Sequence, residues 1–396
     1  MEDLFKYITP IFAIIYTINY LRKIKSNNTK LLCALFLSYT CFSSNYNWDL
    51  RYIHQIFIGY ICILAIKNIN KWKNLKETKY FTLIFICIII SFLINNGYNS
   101  GYAISNLINF ITCALTTIWV IISIKKNETK ITTLLEYIIN ITLLISIFTI
   151  LLSLLSSTKR VELTFSNPNY LAFFIGFGTV LYSYFKYKGS NVDIIKIILL
   201  CSAILMTGSR SILFVIIPIL IYIIYIRNKL HLIIIIAMVI TFLPSNIHKI
   251  EDTIRITNID EDDSINQRRQ IFLVVKQIAE EHTFFGIGYG KFIVIFKEYI
   301  PYNAELLFKV DQIVTHNDYY RIIAELGIVG FISFLFIILK SCLISLKNKR
   351  YRVLLLSLLL LSLSFSFTHN NLNTFIFWLI LFIPFTFEKY NYYKLN

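Results

Sequence analysis

The chain has 396 residues, 57% of them hydrophobic and 15% charged, with a mean hydropathy of +0.66. A soluble globule of this length is not that apolar, so most of the chain has to be covered by a bilayer. The formal net charge of +16 gathers at the ends of apolar runs on one side, as the positive-inside rule requires, which excludes nucleic acid as the partner it would otherwise suggest.

In chain order, apolar runs occupy 5–21, 30–44, 51–67, 79–96, 102–124, 132–155, 168–186, 193–207, 211–227, 230–244, 320–346, 352–367 and 372–388. Most approach the ~20 residues that a helix needs to cross a hydrocarbon core of ~30 Å. The fold class is therefore an all-α membrane protein, a polytopic helical bundle of about 12–13 transmembrane helices with one large external loop. The run 30–44, with ~15 residues, is short for a span and reads as kinked or re-entrant. No small-residue cleavage site follows the first run, so it is expected to be retained.

Lys and Arg set the orientation. Arg22, Lys23, Lys25 and Lys30 fall on the same side as Lys67, Lys71, Lys73, Lys76 and Lys79, as Lys125, Lys126 and Lys130, and as Lys347, Lys349, Arg350 and Arg352. That side is cytoplasmic. The loops SSNYNWD, NGYNSG and THNN contain no Lys or Arg and lie outside, together with the long segment 245–315. The amino terminus is then outside and the carboxyl terminus inside. The chain divides into N-terminal transmembrane helices 1–160, transmembrane helices 161–244, a large loop 245–319 and C-terminal transmembrane helices 320–396. Its seven cysteines lie in or beside apolar runs without a CxxC pair, so neither a disulfide framework nor a zinc site is expected.

The external segment 245–315 has 8 basic and 11 acidic residues, the opposite balance to the rest of the chain, and reads as a structured or functional unit. Within it, DDSINQRRQIFLVVKQIAEEH has helical periodicity: Arg268, Ile271, Phe272, Val275, Ile278 and Ala279 share one face, and Arg269, Lys276, Gln277 and Glu280 the other. Asp263 or Ser264 caps its start. Arg269 belongs to the solvated face, whereas Arg268 leads the apolar one and needs an anionic partner or a route to water. GIGYGKF at 286–292 reads as a tight turn, because it lacks the setting and the pattern of a phosphate loop. The acidic run DEDD at 260–263 reads as a solvated loop, with cation binding left open.

Three external helix starts hold polar groups that packing alone does not require. In SNPNY, Asn167 is an N-cap and Pro168 a first helical residue, and Asn167 or Asn169 either serves only the helix or also contacts a polar substrate. In TGSRS, Arg210 stands against the positive-inside bias with no acid near it in sequence, and either snorkels to lipid phosphate or binds a diphosphate, which a guanidinium fork suits. In HNDYYRIIAELGIVGF, Asn317 or Asp318 caps a helix, Arg321 and Glu325 are i,i+4 partners, and Gly327 and Gly330 permit close helix contact. His316 precedes that helix and is the best candidate for a proton acceptor near neutral pH; the other five histidines have no comparable setting. HExxH is absent, and no DxD pair stands at an external helix end.

The pieces in this order resemble the O-antigen polymerase and ligase superfamily of bacterial envelope glycosyltransferases, over roughly residues 160–345. The likeness lies in Asn167 to Asn169 before a span, Thr207 to Arg210 between spans, Arg268 to Phe272 in an amphipathic helix, Gly286 to Phe292, and His316 to Gly330. Phe272 stands where the family usually has tryptophan. The resemblance implies a GT-C-like fold and a metal-independent, inverting transferase without cofactor. It implies undecaprenyl diphosphate-linked glycans as donor and acceptor, at the periplasmic face of the bacterial inner membrane, with membrane lipid and a chain-length regulator as further partners. It gives His316 the role of general base and Arg210 and Arg268 that of holding the donor diphosphate; Asn167, Asn169, Arg269, Asn317 and Arg321 are this sequence's further candidates for substrate contacts. The polymerase branch is preferred on the G-x-G-x-x-x-F element and the NPN start, and the alternative is a ligase that transfers polymer to lipid A core. A flippase would favour ionisable groups along the bilayer midplane and similar halves of the chain, whereas the informative groups here collect at one surface.

Overall fold

The computed structural model describes residues 2–42, 48–72, 75–125, 131–156, 160–165, 167–227, 229, 263–300 and 314–387. Among them all regular structure is helical. In chain order the helices are α1 (Glu2–Leu21), α2 (Asn27–Phe42), α3 (Trp48–Lys67), α4 (Ile69–Trp72), α5 (Lys76–Ile94), α6 (Gly101–Lys125), α7 (Ile131–Leu155), α8 (Pro168–Phe185), α9 (Asn191–Met206), α10 (Arg210–Arg227), α11 (Asp263–Glu281), α12 (Phe292–Tyr299), α13 (Asp318–Lys347), α14 (Arg352–Ser366) and α15 (Phe375–Phe387), with a 3₁₀ turn at Gly97–Asn99. The expected span 230–244 and the acidic residues 260–262 lie outside the described residues.

Leu4–Leu21, Gly101–Lys125, Ile131–Leu155, Arg210–Arg227 and Asp318–Lys347 are long and apolar enough to cross a membrane, and Tyr52–Lys67, Thr78–Ile94, Arg352–Ser366 and Phe375–Thr386 are shorter apolar helices. The chain is a polytopic helical membrane protein. Residues 30–42 of the short run 30–44 lie in α2, a helix of 16 residues, and 43–44 lie outside the described residues.

Two compact units divide the chain, Met1–Tyr60 with Ile122–Thr257, and Ile61–Ile121 with Asn258–Asn396. The first is built on α7, which is packed by α1, α2, α8 and α9. A β-carbon at Gly178 of α8 would collide with the side chain of Thr142 of α7, so glycine is what lets these two helices approach. The buried hydroxyls of Thr142, Ser146 and Thr149 each donate to the carbonyl four residues back, at 2.8 Å, so they enter the apolar interior already satisfied.

The second unit is built on α13, packed by α5, α11, α14 and α15. Below its break at Gly327, α13 exposes Ile332, Phe336, Leu339, Leu343 and Leu346 at helical spacing, a lipid-facing stripe, and buries Phe334, Ile337 and Ser341 on the other side. On α11 the buried positions are Ile271, Val274, Val275 and Ile278, which pack with Ile287, Phe292, Phe296 and Ala324. The expected face is thereby corrected. Phe272 is 44% exposed, its ring tilted against that of Tyr320 at 5.5 Å between centroids, because it lies about 100° around the helix from Ile271. Arg268 is exposed and has its route to water, and Arg269 is exposed as well.

Candidate active site

In the second unit His316 stands half-buried immediately before α13, at a backbone φ of 49°. Asn317 ends this left-handed corner as the N-cap, its Oδ1 accepting from the backbone N–H of Tyr319 (2.9 Å) and Tyr320 (3.1 Å). Burial lowers the His316 pKa from its ordinary 6.5, and the positive charge of Arg268 on α11 lowers it further. The imidazole is therefore neutral at pH 7. Among the described residues its ring has no hydrogen-bond partner, so a ring nitrogen is available to accept a proton.

One turn into α13, Arg321 and Glu325 form the expected pair, Nε to Oε2 at 3.0 Å, with both side chains buried. The guanidinium also donates to Asn106 Oδ1 on α6 (2.7 Å) and to Asn373 Oδ1 after α14 (3.3 Å), and it lies over the Tyr289 ring at 5.2 Å. Glu325 Oε1 in turn accepts from the Phe292 N–H at 3.3 Å. Burial raises the Tyr289 phenol above its ordinary value, against the pull of Arg321. Arg321 is thus placed behind the His316 corner, with its donors turned to the protein. Asn106 and Asn373 were not expected; both are amides at the external ends of apolar runs, and that position was the available signal.

The glycines of GIGYG and ELGIVG interlock. Gly286, Gly288 and Gly290 all have positive φ, and Gly327 interrupts α13 with φ 65° and ψ −164°. Ile287 and Gly288 donate to the carbonyls of Ala324 and Glu325 at 2.9 and 3.2 Å, and Ile328 and Val329 donate to those of Thr283 and Phe284 at 2.8 and 3.4 Å. A β-carbon at Gly286 would strike the backbone of Glu325, and one at Gly327 the backbone of Phe284. The expectation of helix-to-helix contact at Gly327 and Gly330 is corrected here. Gly327 breaks the helix to pair with another turn, and the space left at Gly330 is filled by Leu326 of the same helix.

In the first unit the NPN and TGSR motifs meet. Asn167 caps α8 by accepting from the Asn169 N–H at 2.8 Å. Asn169 Oδ1 accepts from Arg160 Nη2 at 3.0 Å, and Arg160 Nε donates to the Thr207 carbonyl at 3.1 Å. Gly208 turns the chain at φ 64°, and Arg210, half-buried, is the first residue of α10. Next to it Ser209 Oγ is buried without a hydrogen-bond partner among the described residues. Arg160 was not expected as a site residue, although it too is a basic residue on the side expected to be external.

Residues 195–335 match the family model described as O-antigen ligase. The match over that stretch supports the O-antigen polymerase and ligase superfamily. No curated protein matches the chain. Arg210, Arg268, His316, Arg321 and the interlocking glycines fall inside the matched stretch, whereas Arg160, Asn167 and Asn169 precede it. The matched family is one of glycosyltransferase-like enzymes of lipopolysaccharide synthesis that work on lipid-linked glycans, and the apolar helices agree with a multi-pass membrane setting.

Proposed function

We propose that this protein is an O-antigen polymerase, an inverting glycosyltransferase that joins undecaprenyl diphosphate-linked repeat units at the periplasmic face of the bacterial inner membrane. The observation that carries this reading is the half-buried His316 immediately before α13, its ring without a hydrogen-bond partner among the described residues, in the stretch that matches the family model. His316 accepts the proton of the acceptor hydroxyl as that oxygen bonds to the anomeric carbon of the donor. The bond from that carbon to the lipid diphosphate breaks on the opposite face, and the diphosphate leaves with the electron pair. Arg268 takes up the charge that grows on it, an interaction stronger in the transition state than in the ground state. Arg210 has the same role by its place in the motif order, and Arg269 is a further phosphate contact. Guanidinium charge supplies here what a divalent ion supplies to other transferases. Asn167, Asn169 and Asn317 are each assigned as glycan contacts from their places at helix starts, and Arg321, bound to Glu325, supports the His316 corner.

His316→Ala is expected to abolish chain extension while the protein stays at its normal level in the membrane, and polymer of normal length from that variant would sink the reading. Transfer by purified protein should persist in a chelator. The second reading, a ligase acting on lipid A core, is favoured by the description of the matched family model. Lipopolysaccharide from a deletion strain separates the two: core with a single repeat unit marks a lost polymerase, and bare core with lipid-linked polymer retained marks a lost ligase.

A further inference from the structure

The turn between α14 and α15 grips the His316 corner from both sides. Before the histidine, the buried Thr315 Oγ1 donates to Asn370 Oδ1 at 2.8 Å. After it, the fully buried carboxylate of Asp318 accepts from the backbone N–H groups of Asn371 (2.7 Å) and Leu372 (3.3 Å). One helical turn on, Asn373 accepts from Arg321 and donates to Asn106 Oδ1 at 3.1 Å. Four consecutive residues, 370–373, therefore hold positions 315, 318 and 321.

The turn is itself fastened. Thr374 Oγ1 donates to the carbonyl and Oδ1 of Asn371 at 2.8 and 2.7 Å, and Trp378 Nε1 donates to the Leu372 carbonyl at 2.8 Å. Between the two grips His316 holds φ 49°, a conformation that a residue with a β-carbon keeps only where its surroundings over-determine it. Released at either side, the corner relaxes and the ring turns with it.

The geometry points to Asn370, acting through Thr315, and to Asp318 as positioning residues for His316: together they aim the imidazole at the acceptor hydroxyl. This inference rests on the reading of His316 as the base. Asp318 accepts from two backbone N–H groups, so that grip has two bonds. The Thr315 grip is the one a single hydroxyl makes or breaks.

The test uses inner-membrane vesicles of host cells that express the full chain, with their own lipid-linked glycan as substrate, and follows the initial rate of transfer against pH. Thr315→Val keeps the shape of the side chain and removes the hydroxyl; it and Asn370→Ala are expected to lower the rate roughly 10- to 100-fold, the range that misplacement of a catalytic group by about 1 Å produces. The ring, freed towards solvent with Arg268 as the charged group facing it, is expected to titrate higher, moving the acid limb to higher pH. Thr315→Ser should restore both rate and limb. The double variant should be no slower than either single one, as two partners of one bond require. A wild-type rate and limb in Thr315→Val, or a Thr315→Ser protein as impaired as Thr315→Val, overturns the positioning role. A His316→Ala protein that still transfers overturns the base reading and the inference with it, whereas an inactive His316→Ala beside an unaffected Thr315→Val overturns the positioning role alone.

Discussion

Replacing Gly327 by alanine tests whether the interlocked turns hold the second unit together. Its φ of 65° and ψ of −164° lie in a region that glycine alone occupies freely, so alanine there costs about 1–3 kcal/mol in backbone strain. The added β-carbon meets the carbonyl carbon and oxygen of Phe284 and the backbone nitrogen of Gly286, none of which can swing aside as a side chain does. Relief requires the turn 283–286 to move off α13, which breaks the bonds from Ile328 and Val329 to Thr283 and Phe284, each worth about 0.5–1.5 kcal/mol net. The total is about 2–6 kcal/mol, and for a unit of about 200 residues each kcal/mol lowers Tm by about 2–4 °C. Gly59→Ala is the control: it sits within α3 with nothing inside 4 Å of the added carbon, and there alanine is the better helix former. Thermal unfolding of the two variants in detergent should show a fall of several degrees for Gly327→Ala and none for Gly59→Ala. Equal melting temperatures would refute the argument, because they would mean that the break in α13 is not enforced by the turn against it.

Arg268→Ala should move the acid limb of the pH–rate profile to higher pH while leaving it below 6.5, since His316 must be neutral to act, Arg268 is one cause of its lowered pKa, and burial, the larger cause, remains. Arg269→Ala should leave the limb in place; a limb that ignores Arg268 or follows Arg269 would reverse their assignment. Glu325→Gln leaves the buried Arg321 cation without its carboxylate and should cost about 3–5 kcal/mol, read as a lower melting temperature in detergent, whereas removing both charges by Arg321→Met with Glu325→Gln should cost less. A single variant as stable as the parent would mean that Asn106 and Asn373 alone satisfy Arg321.

What could be read from the sequence is what depends on neighbours along the chain. The apolar runs, the Asn167 and Asn317 caps, the Arg321–Glu325 pair and the amphipathic α11 all rest on spacings of one helical turn or less, and helical geometry turns those spacings directly into contacts. Phe272 departs from the expected face because apolar character alone does not bury a residue that stands one position off the face that Ile271, Val275 and Ile278 define. Asn106 and Asn373 are not legible locally because their partners are far along the chain, 52 residues for Asn373 with Arg321, 215 for Asn106 with Arg321 and 267 for the two amides with each other. No local pattern specifies such a meeting.

The break at Gly327 shows the same division most clearly, and it also explains how the site is assembled. In ELGIVG every residue but glycine favours continuing an apolar helix, so the sequence alone reads as one span. A helix interrupted next to the bilayer leaves backbone groups unpaired, each at a cost of several kcal/mol if lipid surrounds it. The turn 283–288 supplies what is missing, accepting from Ile328 and Val329 and donating to Ala324 and Glu325. That turn follows directly on α11, which carries Arg268, and the helix it repairs begins beside His316. The same four hydrogen bonds that make the break tolerable therefore fix the cation-bearing helix to the helix that follows the base. Glycine is required on both partners because the two backbones touch where each turns.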